Sequence, residues 1–184
     1  MSIGRSLLAL ILLASIPAVH AAGFSVTSPD VQEGGTIANE QVYNGFGCSG
    51  DNVSPALSWS GAPAGTKSFA VTLYDPDAPT GSGWWHWLVF NIPASVTALA
   101  KGAGDPSAGT LPDGSVQSRT DFGQPGYGGP CPPQGDAPHH YIFTVYALKT
   151  DHLEIDSNAP GAMVGFNLHA AMIGKAMLTA TYGR

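Results

Sequence analysis

Two proline-rich segments of the chain carry carboxylate, imidazole and phenol groups close together in sequence. The first contains Asp75-Pro76-Asp77-Ala78-Pro79 and leads into His86; the second begins with Gly129-Pro130-Cys131 and ends in His139-His140-Tyr141. These groups donate and accept the hydrogen bonds that hold a small polar ligand. Prolines fix φ and restrict the preceding residue, so side chains held between them have little freedom left to lose on binding. The two segments are therefore predicted to build a small preformed pocket.

Each of these residues also has a purely structural explanation. The two aspartates fit an ordinary turn in which carboxylates accept backbone N–H groups. His86 lies in an apolar run, where a single histidine is usually a satisfied core group. Neighbouring strand residues point to opposite faces, so only one of His139 and His140 should face a pocket, and His140 is expected to be solvated or to cap a loop. Polar groups gathered at strand ends favour a binding site, because an imidazole can donate to a phosphate or carboxylate oxygen.

Other chemistries have weaker signals in the same residues. Asp75, His86 and His139 make up two histidines and a carboxylate, a set that some metal sites use, but no short spacing such as His-x-x-x-His supports a metal. The sequence has no Gly-x-Ser-x-Gly, phosphate-loop lysine or HExxH motif. We therefore predict no catalytic residue, metal or cofactor. A metal-assisted hydrolase using Asp75 with either histidine stays an alternative.

A glycine-rich segment, 45–50, matches the dinucleotide-binding pattern letter for letter. That motif requires a helix immediately after it. Here Asn52, Pro55 and a short predicted strand follow instead. We therefore expect a glycine-rich turn or loop, tied down by Cys48, rather than a nucleotide site.

The elements that must position these groups are mostly strands. Short apolar stretches bounded by Gly, Pro, Asn and Asp are typical of a mainly β protein. Phe69, Val71 and Leu73 share one face of a predicted strand. Asp75 follows this strand directly and should lie on the same face. One run is apolar on both faces, which predicts a strand inside the sheet. The predicted strands are Phe24–Ser28, Ala56–Trp59, Ser68–Tyr74, Trp85–Ile92 (the doubly apolar run), Tyr141–Leu148 and Ala176–Tyr182.

The remaining chain is predicted to hold one helix and one long loop. From Ala159 the apolar spacing becomes helical and continues through Ile173, with Pro160 in the first turn and Gly174 near the end. Residues 101–138 show little periodicity. Loops of that length in compact domains tend to be functional or closed over a site.

Residues 1–21 are predicted to be a secretory signal peptide. Arg5 supplies the positive charge, Leu7–Ile16 is almost wholly apolar, and small residues allow cleavage after Ala21 or Ala22. The apolar run falls short of the roughly 20 residues that span a bilayer, so no stable membrane insertion is expected. Residues 22–184 then form a single domain in the periplasm or outside the cell.

The charge and cysteine content of this domain narrow its partners. Of the 7 Lys and Arg residues only Arg5 lies in the predicted leader, so 6 face 13 Asp and Glu in the domain. Without a basic patch, nucleic acid is not an expected partner, and any anion site must be built from local N–H groups and imidazoles. Two cysteines in an oxidising compartment predict one disulfide, Cys48–Cys131. Two free thiols, or a Cys131 nucleophile, are the alternative.

Taken in order, these motifs resemble the phosphatidylethanolamine-binding protein family, in particular its bacterial Raf-kinase-inhibitor-like branch. The matching strings cover nearly all of the predicted domain: Asp75–Pro79, His86–Pro93, Gly129–Pro133, His139–Tyr141, Asn52–Pro55 and Ala180–Arg184. The resemblance implies a mainly β fold with central antiparallel sheets, a Greek-key-like β sandwich with short peripheral helices and one helix near the C-terminus. It also implies a pocket for phosphate, acetate or a phosphoethanolamine headgroup.

The resemblance carries specific residues into that pocket. Asp77 and Trp87 are expected beside it in structural roles, and His140 departs from the family, which usually has Arg there. The implied ligand-binding residues are Asp75, Ala78, Pro79, His86, Gly129, Pro130, His139 and Tyr141.

These observations predict an exported, non-catalytic protein that binds a small anionic or phosphorylated ligand. A protein-interaction module is the alternative, acting as a kinase or protease inhibitor or as a host-directed effector. Proline-stiffened loops suit that role, since little ordering cost remains when they dock.

Overall fold

The computed structural model describes residues 23–184, so the predicted signal peptide lies outside the described residues. One 3₁₀ turn, Asn39–Gln41, precedes the second strand. The strands and the α-helix follow in chain order as β1 Ser25–Thr27, β2 Asn44–Gly45, β3 Cys48–Ser49, β4 Leu57–Ser60, β5 Ser68–Asp75, β6 Trp84–Pro93, β7 Ala98–Leu99, β8 Val116–Gln117, β9 His139–Leu148, α1 Gly161–Ala171 and β10 Met172–Tyr182.

The strands form two sheets and a small hairpin. The larger sheet has the order β10-β9-β5-β6-β8, and the smaller has the order β1-β4-β7; β2 pairs with β3. Every pairing between these strands is antiparallel. The prediction of a mainly β fold with central antiparallel sheets and one helix near the C-terminus is confirmed.

The larger sheet is covered on both faces, which explains its apolar central strands. Phe69, Val71 and Leu73 of β5 point into the core shared with the small sheet. Ala70 points the other way, into a second core under α1. A strand buried on both faces gives a continuous apolar run, which is why β6 does not alternate.

The predicted strands all exist, and their ends differ by no more than two residues except in β10, which begins at Met172, four residues before the predicted Ala176. The helix prediction was wrong at its C-terminal end, because the helix stops at Ala171. Met172 already pairs with Leu148 of β9, so Ile173 and Gly174 belong to β10. Pairing with β9 therefore decides the conformation where the local pattern was ambiguous.

The predicted disulfide is present and joins distant parts of the chain. Cys48 and Cys131 are bonded across 83 positions, with their Cα atoms 6.0 Å apart. The bond fastens the long 101–138 segment, irregular except for β8, to the β2–β3 hairpin. No helix within residues 23–184 is long and apolar enough to cross a membrane.

Candidate ligand-binding site

A cavity of about 220 Å³ opens where β5, β6 and β9 meet the long irregular segment. Its polar lining comes from the ends of these strands: Asp75, His86, His139 and Tyr141. Ala78 and Pro79 of the proline-rich loop form one wall. The structure thus brings together six of the eight residues that the family resemblance implied.

Asp75 accepts three hydrogen bonds at the polar floor of the cavity. It ends β5 and is almost fully buried. Its Oδ1 accepts the backbone N–H groups of Asp77 at 2.8 Å and of Ala78 at 3.1 Å. Its Oδ2 accepts Nδ1–H of His139 at 2.8 Å. The prolines hold the loop in the turn that makes this possible, so the carboxylate both shapes the loop and fixes the imidazole.

His86 is placed by an irregularity in the pairing of β5 with β6. Leu73 pairs with Trp87 and Tyr74 pairs with Trp85, so His86 is the extra residue of a β-bulge. Bulges re-aim side chains and are frequent beside functional sites.

The bulge decides which side of the sheet receives the imidazole. Leu88 and Phe90 point toward the core under α1. Strict alternation would send His86 to that same side. With the bulge it lines the cavity together with Tyr141, whose ring lies 5.2 Å away in an edge contact.

The His86 ring is fixed on one side and unsatisfied on the other. Its Nδ1 donates to the carbonyl oxygen of Gly128 at 2.7 Å. Its Nε2 is buried, has no hydrogen-bond partner among residues 23–184, and lies 4.0 Å from Oδ2 of Asp75. Burial lowers the pKa of His86 well below its ordinary value of 6.5, while hydrogen bonding to Gly128 and the Asp75 charge act in the opposite direction.

Tyr141 presents a second unsatisfied group to the same cavity. It shares strand parity with His139, as predicted, and both are buried on β9. Its hydroxyl is enclosed and also has no hydrogen-bond partner within residues 23–184. Burial, with a smaller effect from the Asp75 charge, raises the pKa of Tyr141 above its ordinary value, so the hydroxyl stays protonated.

The neighbouring histidine faces away from the cavity. His140 is exposed, and its Nδ1 and backbone N–H both donate to Oδ2 of Asp77 at 2.7 Å. These hydrogen bonds hold the pKa of Asp77 below its usual value, and the bond from the backbone N–H of His140 has the largest effect. This pair clasps the proline-rich loop to β9, in line with the structural role expected of Asp77.

Two of the eight implied ligand-binding residues, Gly129 and Pro130, do not line the cavity, and neither does Trp87, which was expected beside the pocket in a structural role. Gly129 is buried, and a Cβ there would overlap the backbone of Gln41, so close approach requires glycine. The carbonyl of Pro130 accepts the backbone N–H of Tyr43 at 3.0 Å. Trp87 is fully buried and donates from Nε1 to Gln117 at 2.6 Å. Gly129 and Pro130 anchor the backbone that continues into Cys131 and Pro132 of the cavity lining.

Asn52 belongs to this supporting layer too, and the sequence analysis gave it no role. Its side chain donates to the carbonyl of Tyr127 at 3.0 Å and accepts the N–H of Gly129 at 2.8 Å. It therefore fixes the backbone on either side of Gly128, the carbonyl that orients His86.

The rim of the cavity is aromatic and was not predicted. Phe46 is 67% exposed, and Phe122 stacks on it with ring centroids 5.9 Å apart. Trp84 meets Phe122 edge-on at 5.4 Å. The glycine-rich segment that carries Phe46 forms the β2–β3 hairpin, with φ of 53° at Phe46 and 84° at Gly47. Positive φ at both central residues is the turn geometry that tight hairpins favour.

The remaining wall is covalently anchored. Cys131, Pro132 and Pro133 line the cavity, and the disulfide ties Cys131 to the hairpin that holds Phe46. Within residues 23–184, no group of three or more His, Cys, Asp or Glu side chains is arranged to hold a metal ion.

Comparison with known proteins places this geometry in a family. The family model described as phosphatidylethanolamine-binding protein matches residues 27–183. The chain belongs to this family. YbcL of Escherichia coli is 57% identical over 163 residues, covering 89% of each chain. The crystal structure of YbcL, described as a new member of the mammalian PEBP family, superposes with a TM-score of 0.87 at 56% identity, covering 89% of this chain and 99% of that one.

A third relative bears on where the protein works. LppC of Mycobacterium tuberculosis, named as a candidate lipoprotein, is 36% identical over 169 residues, covering 92% of this chain and 77% of LppC. The Cys48–Cys131 disulfide of this chain favours an oxidising compartment outside the cytoplasm. The family is named for the binding of a ligand, phosphatidylethanolamine.

Proposed function

We propose that this phosphatidylethanolamine-binding family member is an exported, non-catalytic binding protein whose cavity holds the anionic end of a small ligand. Phosphate and a phosphoethanolamine-like headgroup are the ligands that fit the cavity chemistry best. The observation that carries the proposal is a pair of buried polar atoms in one cavity, Nε2 of His86 and the hydroxyl oxygen of Tyr141, neither of which has a hydrogen-bond partner within residues 23–184.

Leaving such atoms unsatisfied is costly for a folded protein. A buried polar group without a hydrogen bond costs about 1–3 kcal/mol. Two of them in the same small cavity supply hydrogen-bonding capacity that a ligand can use. A polar ligand that forms hydrogen bonds with both atoms would remove this free-energy cost.

The size and lining of the cavity point to a compact ligand. Its volume of about 220 Å³ lies below the range of roughly 300–1,000 Å³ common for drug-sized ligands. Apolar proline and aromatic side chains surround the polar floor. A headgroup with few atoms offers limited contact, so the affinity is expected to be modest.

The side chains that line the cavity also support a binding role over a catalytic one. The thiol of Cys131 is consumed in the disulfide. The hydroxyl of Thr80 donates to the carbonyl of Gly83 at 2.6 Å rather than to a base. His86 and His139 are each oriented by a hydrogen bond, but within residues 23–184 neither is hydrogen-bonded to a serine, threonine or cysteine.

Two matched tyrosine variants test the proposal. Calorimetry with phosphate and phosphoethanolamine should show binding to the native protein. Tyr141→Phe should weaken it at least about tenfold, since a hydrogen bond to a charged ligand contributes about 1.5–3 kcal/mol. The free energy of unfolding should not fall and should rise by up to about 1–3 kcal/mol, because the deleted hydroxyl is buried and has no hydrogen-bond partner within residues 23–184.

Tyr127→Phe is the control for general damage. Its hydroxyl is also buried but donates to the carbonyl of Gln41 at 2.9 Å, away from the cavity lining. This variant should lose about 1–2 kcal/mol of unfolding free energy and keep its affinity. Absence of heat with both ligands and folded native protein would rule the proposal out.

Export is tested separately from binding. The predicted leader, the disulfide and the lipoprotein-like relative LppC support it. Expressed in a bacterium from the full sequence, the protein should be recovered outside the cytoplasm with its N-terminus at Ala22 or Gly23. An intact N-terminus on protein retained in the cytoplasm would contradict export.

A further inference from the structure

The hydrogen bond from His86 to Gly128 determines which ring nitrogen holds a hydrogen. A carbonyl oxygen only accepts, so Nδ1, 2.7 Å from the Gly128 oxygen, must be the donor. A neutral imidazole has a single N–H. In the neutral ring Nε2 therefore faces the cavity as a lone-pair acceptor, whereas the sequence alone suggested a donor for an anion.

The surroundings of His86 favour the neutral ring. Phe122 and Tyr141 contact it edge-on, with ring centroids 5.4 and 5.2 Å away. The charged groups that face it are Asp75 on β5 and Asp121 on the long irregular segment, with the carbonyls of Gly128 and Gly129 behind. These groups favour the charged ring, but burial outweighs them and leaves the pKa of His86 at about 4.

The other polar groups of the cavity provide few hydrogens for an anion. Nδ1–H of His139 is used by Asp75, and a hydrogen on its Nε2 would have Asp136 as an acceptor 3.5 Å away. The Thr80 hydroxyl is used by Gly83. The Tyr141 hydroxyl lies near the Asp75 carboxylate but makes no hydrogen bond of good geometry within residues 23–184, so it can donate to a ligand. An oxyanion with lone pairs only would therefore satisfy Tyr141 but meet lone pairs on His86 Nε2 and the Asp75 carboxylate.

We propose that the cavity binds an oxyanion only together with one proton, held between a ligand oxygen and Nε2 of His86. The proposal rests on the proposed anion-binding function and narrows its ligand class. The cavity selects ligands that bring an acidic hydrogen, such as hydrogen phosphate, over oxyanions that have none, such as sulfate.

The source of the proton differs between ligands, and this makes the proposal measurable. Hydrogen phosphate brings an O–H at neutral pH and donates it to Nε2. Sulfate brings none, so His86 must take a proton from solution, against the effect of its burial. A phosphomonoester such as phosphoethanolamine loses its last acidic O–H near about pH 6, so its affinity should be higher below that pH than above it.

Calorimetry of the disulfide-bonded native protein with phosphate and with sulfate tests this. At about pH 8, phosphate should bind at least about tenfold more tightly than sulfate. As the pH is lowered toward about 6, the sulfate affinity should rise by up to about tenfold per pH unit, as linkage to one proton requires. Titrations in buffers of different ionisation enthalpy should show uptake of close to one proton per sulfate bound.

A His86→Gln variant should weaken the preference for phosphate over sulfate. The glutamine amide offers N–H groups at every pH, so sulfate should bind this variant more tightly than it binds the native protein at about pH 8. The pH dependence of sulfate binding should disappear. If the variant does not fold, the ring ¹⁵N chemical shifts of the native protein report directly whether Nε2 is unprotonated without ligand and protonated with sulfate.

The two proposals fail in distinguishable ways. Equal affinities for phosphate and sulfate at about pH 8, with no proton uptake, would overturn the proton-linked selection and leave anion binding standing. An Nε2 that is protonated in the ligand-free protein would overturn it as well. Absence of binding by either anion across the pH range would overturn the proposed function itself.

Discussion

Two neighbouring histidine–carboxylate pairs in this protein have the same geometry and different surroundings. His139 donates to Asp75 at 2.8 Å, and His140 donates to Asp77 at 2.7 Å. In the first pair the side chains are 4% and 3% exposed; in the second they are 56% and 41% exposed. The strand alternation of β9 and the turn after β5 separate the two pairs onto opposite sides of one wall.

The contrast shows that burial, more than hydrogen-bond length, sets what each pair does. Water screens the exposed pair, so it contributes little more than a clasp for the proline-rich loop. The buried pair fixes the floor of a cavity in a low-dielectric setting, where a broken partner is expensive. Asp75 adds two backbone hydrogen bonds that shape the loop itself.

The largest expected effect comes from the two aspartates compared directly. Asp75→Asn should lower the free energy of unfolding by about 3 kcal/mol, because it removes a buried charge that accepts three hydrogen bonds. Asp77→Asn should cost under about 1 kcal/mol, since that pair is exposed. Urea unfolding of both variants measures the difference. Equal losses of unfolding free energy would contradict the claim that burial makes the Asp75 pair the more important one.

A middle-sized effect is expected in the pH dependence of stability. The pKa of His86 is lower in the folded protein than in the unfolded chain, so the unfolded chain binds the proton more readily. The stability is therefore full above about pH 6.5 and falls as the pH drops toward the folded value. Between about pH 6.5 and 5 the loss attributable to His86 should be roughly 2 kcal/mol.

Unfolding curves of the native protein and of His86→Gln over that pH range isolate this contribution. The glutamine variant should show a shallower decline, by about the amount given for His86. Identical slopes would mean that burial of the imidazole does not govern the acid response.

The smallest effect is expected at the exposed pair. His140→Arg restores the residue that the family usually has and lets a guanidinium pair with Asp77. The unfolding free energy should change by no more than about 0.5 kcal/mol, and phosphate affinity should be unaffected. A clear change in phosphate affinity, measured by calorimetry, would show that the exposed pair influences binding in the cavity.

Strand alternation made much of the site predictable. Phe69, Val71 and Leu73 set a parity that places Asp75 at the mouth of the inter-sheet core. The same reasoning separated Tyr141 and His139 from His140. These inferences held because a strand buried against a core has a strict period of two.

Features that depend on distant contacts were not predictable in the same way. Alternation alone sends His86 to the helix side of the sheet, and only the pairing with β5 reveals the bulge. The rim formed by Phe46 and Phe122 joins two irregular segments whose approach has no local signal. The end of α1 was missed because pairing with β9 competes with helical spacing there.

The register of β9 against β5 has a consequence beyond stability. Leu73 lies opposite Phe143, and Tyr74 lies opposite Ile142. A slip of one position would expel Phe143 from the interior and, in the same movement, exchange His139 for His140 at the ligand's side of the strand. The packing of apolar residues inside the sheet therefore fixes the register that places the polar residues at the end of the strand. Substitutions at Phe143 would impair recognition through misalignment, without any contact with what is recognised.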